Sequence, residues 1–493
     1  MGPKKVIARW PFFLLKEFME ELLLAPDMVL VRSLFTRSLA LLFFIAFLNA
    51  FNQFPALLGE NGLTPVKSFT RLISWKQSPS IFFWKYSDQF LRIVCGIGMT
   101  AAIFLTFAGT TSYLLHIFLW LLLYGIYLSI VNVGQTFYGF GWESMLLEAG
   151  FFAAFLGPEN SMPAWIPIQA LRWMLFRTEL GAGLIKMRGD SCWRDLTCLY
   201  YHHETQPMPN PLSRTFHQGP KWFHKGGVLF SHFVQLIIPV FIFFPSPVSD
   251  MAGALIILHQ LFLVISGNYA WLNWLTIILA ILCFHDPGPV TSAPPPDLFF
   301  FGMIPFGVWV IAMSIEPARN LWAKRQKMNY CWNHWHLVGA YGAFGSVTKE
   351  RYEIVLEGEK NGEWKEYEFK GKPGKLDRIP GIFAPYHLRL DWVMWFLPFS
   401  VRISGGKVRT WGYEPWFITF MVKLLLADKQ TLKLMAHAPW EKERPDRIRA
   451  RYYRYHFTTA GEKNTWERNF IDDYLPPLRL SDLEQLNFEA GQH

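Results

Sequence analysis

No lysine or arginine occurs between Ile93 and Leu171 of this 493-residue chain. Such a gap is foreign to a water-facing surface and natural for helices in lipid. Cysteine is scarce as well. Five residues exclude a disulfide-rich scaffold, and Cys95 and Cys283 fall inside apolar runs where buried thiols are expected. There is no phosphate-binding glycine loop, no nucleophile elbow and no zincin helix. GAFG (342–345) lacks the spacing of a dinucleotide turn. No internal repeat and no low-complexity tract is present. The start carries Lys4, Lys5, Arg9 and Lys16, but no small-residue cleavage site follows a short apolar core, so no cleavable signal peptide is expected.

What is present is apolar and aromatic. Hydrophobic residues make up 52% and aromatic residues 17%, more than a soluble core needs. Mean hydropathy is only +0.17, so part of the chain should lie outside the membrane. A net charge of +9, spread over loops and the C-terminal part, suits anionic lipid headgroups and argues against nucleic acid as a partner.

Span lengths follow from bilayer thickness. SLALLFFIAFLNAF (38–51) is the first span, behind Arg32 and Arg37. Pro55, Gly59, Gly62 and Pro65 should break any helix beyond it. Residues 93–131 as one helix would measure about 58 Å against a hydrocarbon core of about 30 Å, so they form two spans turning at GTTS (109–112). Residues 141–156, 165–187 and 228–244 are further spans. Residues 251–284 again make two, broken at Gly267–Asn268, and residues 298–315 make the last. The count is nine, or seven if the two charged segments are re-entrant. The expected fold is a polytopic α-helical membrane domain (1–316), a linker (317–339) and a soluble α+β domain (340–493). In the last, strands at 352–358 and 364–370 form an antiparallel hairpin, with Asn361–Gly362 inside a four-residue connection with Glu359 and Lys360. RLDWVMWFL (389–397) and residues 416–437 read as helices, and RYYRYHFT (451–458) as a strand.

Arg172, Glu179 and Lys186 are spaced by sevens, close to two helical turns, and therefore share one face of an apolar helix. Charges there must face a polar interior. With Glu143, Glu148, Arg177 and Asp190 they form the candidate buried polar network, in which Glu179 should pair with a cation. The alternative reading makes Lys186, Glu179 and Arg172 catalytic, with Lys186 as a base of lowered pKa. Cys192 and Cys198 are candidates for a disulfide. With His202, His203, His217, His224 and His232 they also raise a metal reading, but the spacing is not that of a zinc site and no metal is expected.

Several stretches resemble the lipase maturation factor family: residues 37–65, GWESMLLEAGFFAAFLGP (141–158), RWMLFRTELGAGLIKMRGDSCWRDLTCLYYHHETQPMPNP (172–211), AYGAFGSVTKERYEIVLEG (340–358) and, within 367–396, APYHLRLDWVMWF. The resemblance implies a non-enzymatic, chaperone-like protein of the endoplasmic reticulum membrane. Its partners would be membrane lipid and a client protein, a dimeric secreted lipase, with no cofactor. The C-terminal part from Tyr341 on lacks cysteine, which points to a bacterial relative in a cytoplasmic membrane, where the client would differ. GAGLIKM (181–187) is similar to a short motif in the membrane region of vitamin K-dependent γ-carboxylases. That similarity implies the alternative: a membrane enzyme with Lys186 as base and a quinone-like or lipid cofactor.

Overall fold

A computed structural model describes residues 23–483 except 289 and 291. The basic residues Lys4, Lys5, Arg9 and Lys16 lie outside the described residues, as do the outer ends of the expected domains. The helices of the membrane half that frame the site are α1 (Val29–Leu58), α2 (Asp88–Phe107), α3 (Tyr113–Asn132), α4 (Gly141–Ala153), α5 (Trp165–Arg188), α6 (Leu199–Thr205), α7 (Lys221–His232), α8 (Val248–Ser266), α9 (Leu272–Ile281) and α10 (Asp297–Trp322), with shorter helical turns between them. α7 continues to Phe243 through a π turn and 3-10 turns, where Pro239 removes a backbone donor.

Among the described residues six segments are long and apolar enough to cross a bilayer: residues 26–58, α2, α3, α7 with its extension, α8 and α10. The expected turns at 109–112 and at Gly267–Asn268 fall between α2 and α3 and between α8 and α9. The count is below nine for physical reasons. α4 and α9 are helices of 13 and 10 residues, too short to span. α5 has the length but carries the charged stripe. α10 presents Leu298 and Ile311 outward, as a lipid-facing helix does. Pro55 does not break α1, which ends three residues later, before Gly59. Arg32 is not a headgroup anchor. It is buried, and its Nη1 donates to the carbonyls of Gly157 (2.8 Å) and Pro158 (2.7 Å).

The C-terminal half is a five-stranded antiparallel sheet in the order β5-β2-β1-β6-β7: β1 (Arg351–Lys360), β2 (Glu363–Phe369), β5 (Met435–His437), β6 (Arg447–Phe457) and β7 (Trp466–Leu478). A separate hairpin joins β3 (Val401–Ser404) to β4 (Lys407–Thr410). Helices α11 (Arg389–Met394) and α12 (Pro415–Leu425) complete it. Residues 416–437 are not one helix, because the chain turns at Ala427 and Asp428 caps a new turn. Lys360 pairs with Glu363, so the hairpin closes on two residues, not four. Asn361 and Gly362 both have positive φ (54° and 85°), the geometry that matches strand twist. β1 is covered on both faces, and its acidic face is neutralised: Glu357 accepts from Arg449 at 2.6 Å and Glu359 from Arg447 at 2.9 Å.

The halves share one core. Asn49 and Gln53 of α1 both donate to the His387 carbonyl, at 2.6 and 2.7 Å. The Arg389 backbone returns a bond to Gln53 at 3.0 Å.

Candidate functional site

Seven residues of helix rise by about 10.5 Å, so the stripe on α5 shares a face without bringing its members into contact. Arg172, Glu179 and Lys186 are all buried. Arg172 Nε donates to the Leu282 carbonyl at 2.8 Å. Glu179 Oε1 accepts from Gln260 at 2.6 Å, and Gln260 accepts from Asn273 at 2.7 Å. Lys186 Nζ donates to Gln235 at 2.6 Å and to Ser231 at 3.2 Å, and stands 4.7 Å from the centre of the Trp193 ring. The expected ion pair of Glu179 with Arg172, Arg177 or Lys186 is not formed. Glu179 and Lys186 are instead dressed by neutral amides from α8 and the α7 extension.

The other expected members form separate groups, because they leave their helices in different directions. Arg177 turns away from the stripe to Glu148 on α4, with both side chains buried. Glu148 Oε2 also accepts from the Gly339 amide at 3.0 Å and from the Tyr341 hydroxyl at 2.6 Å. Glu143 accepts from Tyr127 and, at 2.8 Å, from Arg389. Asp190 accepts from the Cys192 amide at 3.0 Å, capping the short helix Ser191–Arg194. The sequence reading missed Arg389, Tyr341 and His387. An arginine inside the apolar run RLDWVMWFL was the available signal for Arg389.

Cys192 and Cys198 are joined in a disulfide, with Cα atoms 4.7 Å apart, so neither sulfur serves a metal. The His203 ring centre lies 5.7 Å from that of His202 and 6.0 Å from that of His224, and the other histidines bond separately. His202 meets the Tyr269 hydroxyl at 2.9 Å, His224 the Gly219 carbonyl at 2.9 Å and His232 the Trp193 carbonyl at 3.0 Å. Among the described residues no cluster of three metal-binding side chains forms.

Glu179, Lys186 and His203 line a cavity of about 1200 Å³ bordered by α5, α7 and α8. Its walls are largely apolar, with Phe230, Leu263 and Phe344 among them, and carry a polar set that includes Gln235, His259, Gln260 and Asn273. Arg172 is not among its lining residues, so the three residues of the catalytic alternative do not converge. Such a chamber can hold an amphiphile.

The description "Lipase maturation factor transmembrane domain" matches residues 30–288, and "Lipase maturation factor C-terminal domain" matches residues 337–476. The chain belongs to the lipase maturation factor family. It is 38% identical to Lipase maturation factor 1 of Mus musculus, over 92% of this chain and 88% of that protein. It is 37% identical to Lipase maturation factor 1 of Homo sapiens, over 94% and 90%. Lipase maturation factor 2 of Homo sapiens is 26% identical, over 94% and 85%. No solved structure matches the chain. These family members are vertebrate proteins, and nothing supports the expected bacterial source. Nothing found favours the carboxylase-like alternative either.

Proposed function

We propose that this chain is a membrane-embedded, chaperone-like maturation factor that helps a secreted lipase reach its active fold or assembly. The observation that carries the reading is the extent of the family match. It runs through both halves and covers about nine tenths of relatives named Lipase maturation factor 1. We place the protein in the endoplasmic reticulum membrane. The disulfide Cys192–Cys198 supports that site, because such bonds persist in oxidising compartments. The scattered arrangement of Arg172, Glu179 and Lys186 supports a binding role over catalysis.

The test is complementation. A homodimeric secreted lipase is expressed in cells lacking their own maturation factor, with and without this chain. The expected result is more secreted activity per unit of lipase protein when the chain is present. Unchanged specific activity, with the chain folded in the membrane, would overturn the reading.

A further inference from the structure

We propose that the outer face of the β3–β4 hairpin docks on the anionic headgroups of the bilayer that holds the helices, and so fixes the C-terminal half against the membrane surface. The hairpin is tight. Ser404 pairs with Lys407, and Gly405 and Gly406 make the turn, both with positive φ (59° and 72°). Side chains alternate between the two faces along each strand. On one face Val401 and Val408 pack against the core, and the Val408 amide donates to Asp472 of β7 at 2.9 Å. The other face carries Arg402, Lys407 and Arg409, with Trp411 following in phase, and all four are exposed. Arg402 stands directly opposite Arg409. Like charges placed opposite each other destabilise a sheet, so an anion is what this face lacks. The chain supplies none: among the described residues no side-chain ion pair or hydrogen bond reaches any of the three cations.

The position selects the occupant. α8 has 19 residues, about 28 Å of rise against a hydrocarbon core of about 30 Å, so its last residue, Ser266, reaches the membrane surface. Gln206 donates to the Ser266 carbonyl at 2.9 Å, and Trp395 donates to the carbonyl of the adjacent Thr205 at 3.0 Å. From Trp395 the chain runs through the turn Leu397–Ser400 straight into β3. Phe399, in that turn, lines the same cavity as Trp222 near the start of α7. Trp222 lies between Lys221 and Lys225 in sequence, and all three are exposed, the pattern of a helix entering the headgroup layer. The hairpin therefore leaves the protein at headgroup depth. Its surroundings match that layer. Trp411 is 86% exposed, and Phe396, Phe399 and Ile403 are exposed along the same segment. The Arg402 guanidinium stands 5.6 Å from the centre of the Trp411 ring, which keeps cation and ring together. Rings at the interface with cations beside them suit lipid phosphates and carboxylates. A water-soluble acidic partner would account for the cations but not for the exposed apolar side chains at this depth.

The experiment is amide hydrogen exchange, read by mass spectrometry, on the full chain reconstituted in two kinds of nanodisc. One is palmitoyl-oleoyl phosphatidylcholine alone; the other is a seven-to-three mixture with the phosphatidylserine of the same chains. Each basic residue at an anionic surface strengthens the contact roughly fivefold, so three give on the order of a hundredfold. The expected result is exchange at residues 401–411 at least tenfold slower in the phosphatidylserine nanodiscs, an effect that high salt removes. Arg402→Ser, Lys407→Ser and Arg409→Ser combined should abolish the difference between the two nanodiscs. These side chains are exposed and bond to nothing, so exchange in β6 and β7 should stay at the wild-type rate. Arg402→Lys with Arg409→Lys keeps the charge and should keep the difference. Equal exchange of the wild-type hairpin in both nanodiscs would overturn the proposal. So would a lipid dependence that survives loss of the three cations, or protection that appears only when a lipase is added and is the same in either lipid.

Discussion

Arg389 Nη1 lies 2.8 Å from Glu143 Oε1, with both side chains fully buried and 246 residues of chain between them. The guanidinium also sits over the Tyr138 ring, 3.4 Å from its centre, and its Nε donates to the Asn49 side-chain oxygen Oδ1 at 2.8 Å. One charge comes from the membrane half and the other from the C-terminal half. Neither has a route to water.

Removing either partner should therefore cost about 3–5 kcal/mol, because the survivor stays buried and uncompensated. Arg389→Met and Glu143→Gln are each expected to lower the unfolding temperature of the purified protein sharply. The double substitution should recover most of the loss. A double-mutant cycle with no coupling between the two positions would refute this account.

The disulfide closes a loop with a sequence separation of 6. A loop that short contributes about 2 kcal/mol on the chain-entropy model. Cys192→Ser should lower stability by that amount under oxidising conditions and make reductant ineffective. Before reduction, only Cys95, Cys283 and Cys331 should take up a thiol-reactive mass tag in the denatured protein. Five tags without reductant would contradict the bond.

Acid should weaken the seam between the halves. Burial pushes the His387 pKa down from 6.5 to about 4, against the raising effect of Glu143 at 3.9 Å and with the help of the nearby Arg389 cation. As pH falls, the unfolded chain takes up this proton before the folded one. The contribution is therefore complete above about pH 6.5 and is lost as pH drops to about 4, on the order of 3 kcal/mol in all. His387 is ringed by Trp142, Trp271 and Trp392 and makes no side-chain hydrogen bond, so phenylalanine fits chemically. His387→Phe should flatten that part of the pH–stability curve. An unchanged slope between pH 4 and 6.5 would assign the acid sensitivity elsewhere.

Gly181 on α5 faces the Tyr341 carbonyl so closely that an added Cβ would stand 2.3 Å from its oxygen. Gly181→Ala should force the 339–345 segment off the helix and weaken the Glu148–Tyr341 bond. The expected readouts are faster proteolysis near residue 341 and a loss of a few kcal/mol, within the usual range for overpacking. Wild-type protease resistance in that variant would show that the segment yields without cost.

Periodic features were legible before the structure. Residues 93–131 had to fold back because one helix of that length overshoots the bilayer, and alternation with Asn361–Gly362 announced the hairpin. The seven-residue spacing on α5 correctly implied a shared, inward face. It did not imply contact, since 10.5 Å of helix rise separates each pair. Partners were hidden because they are tertiary. Arg177 finds Glu148 across two helices, and Glu143 finds Arg389 across most of the chain. α4 and α9 read as spans because apolar composition does not report where a helix ends: they stop at Ala153 and Ile281, after 13 and 10 residues.

The Glu143–Arg389 pair also constrains inheritance. A substitution at either position alone strands a charge in the interior, so the two are expected to change together or not at all. A chimera joining the membrane half of one family member to the C-terminal half of another should fold only where the residues at these two positions still neutralise each other. The two matched domains then behave as a single unit of exchange, although each has a recognisable sequence pattern of its own.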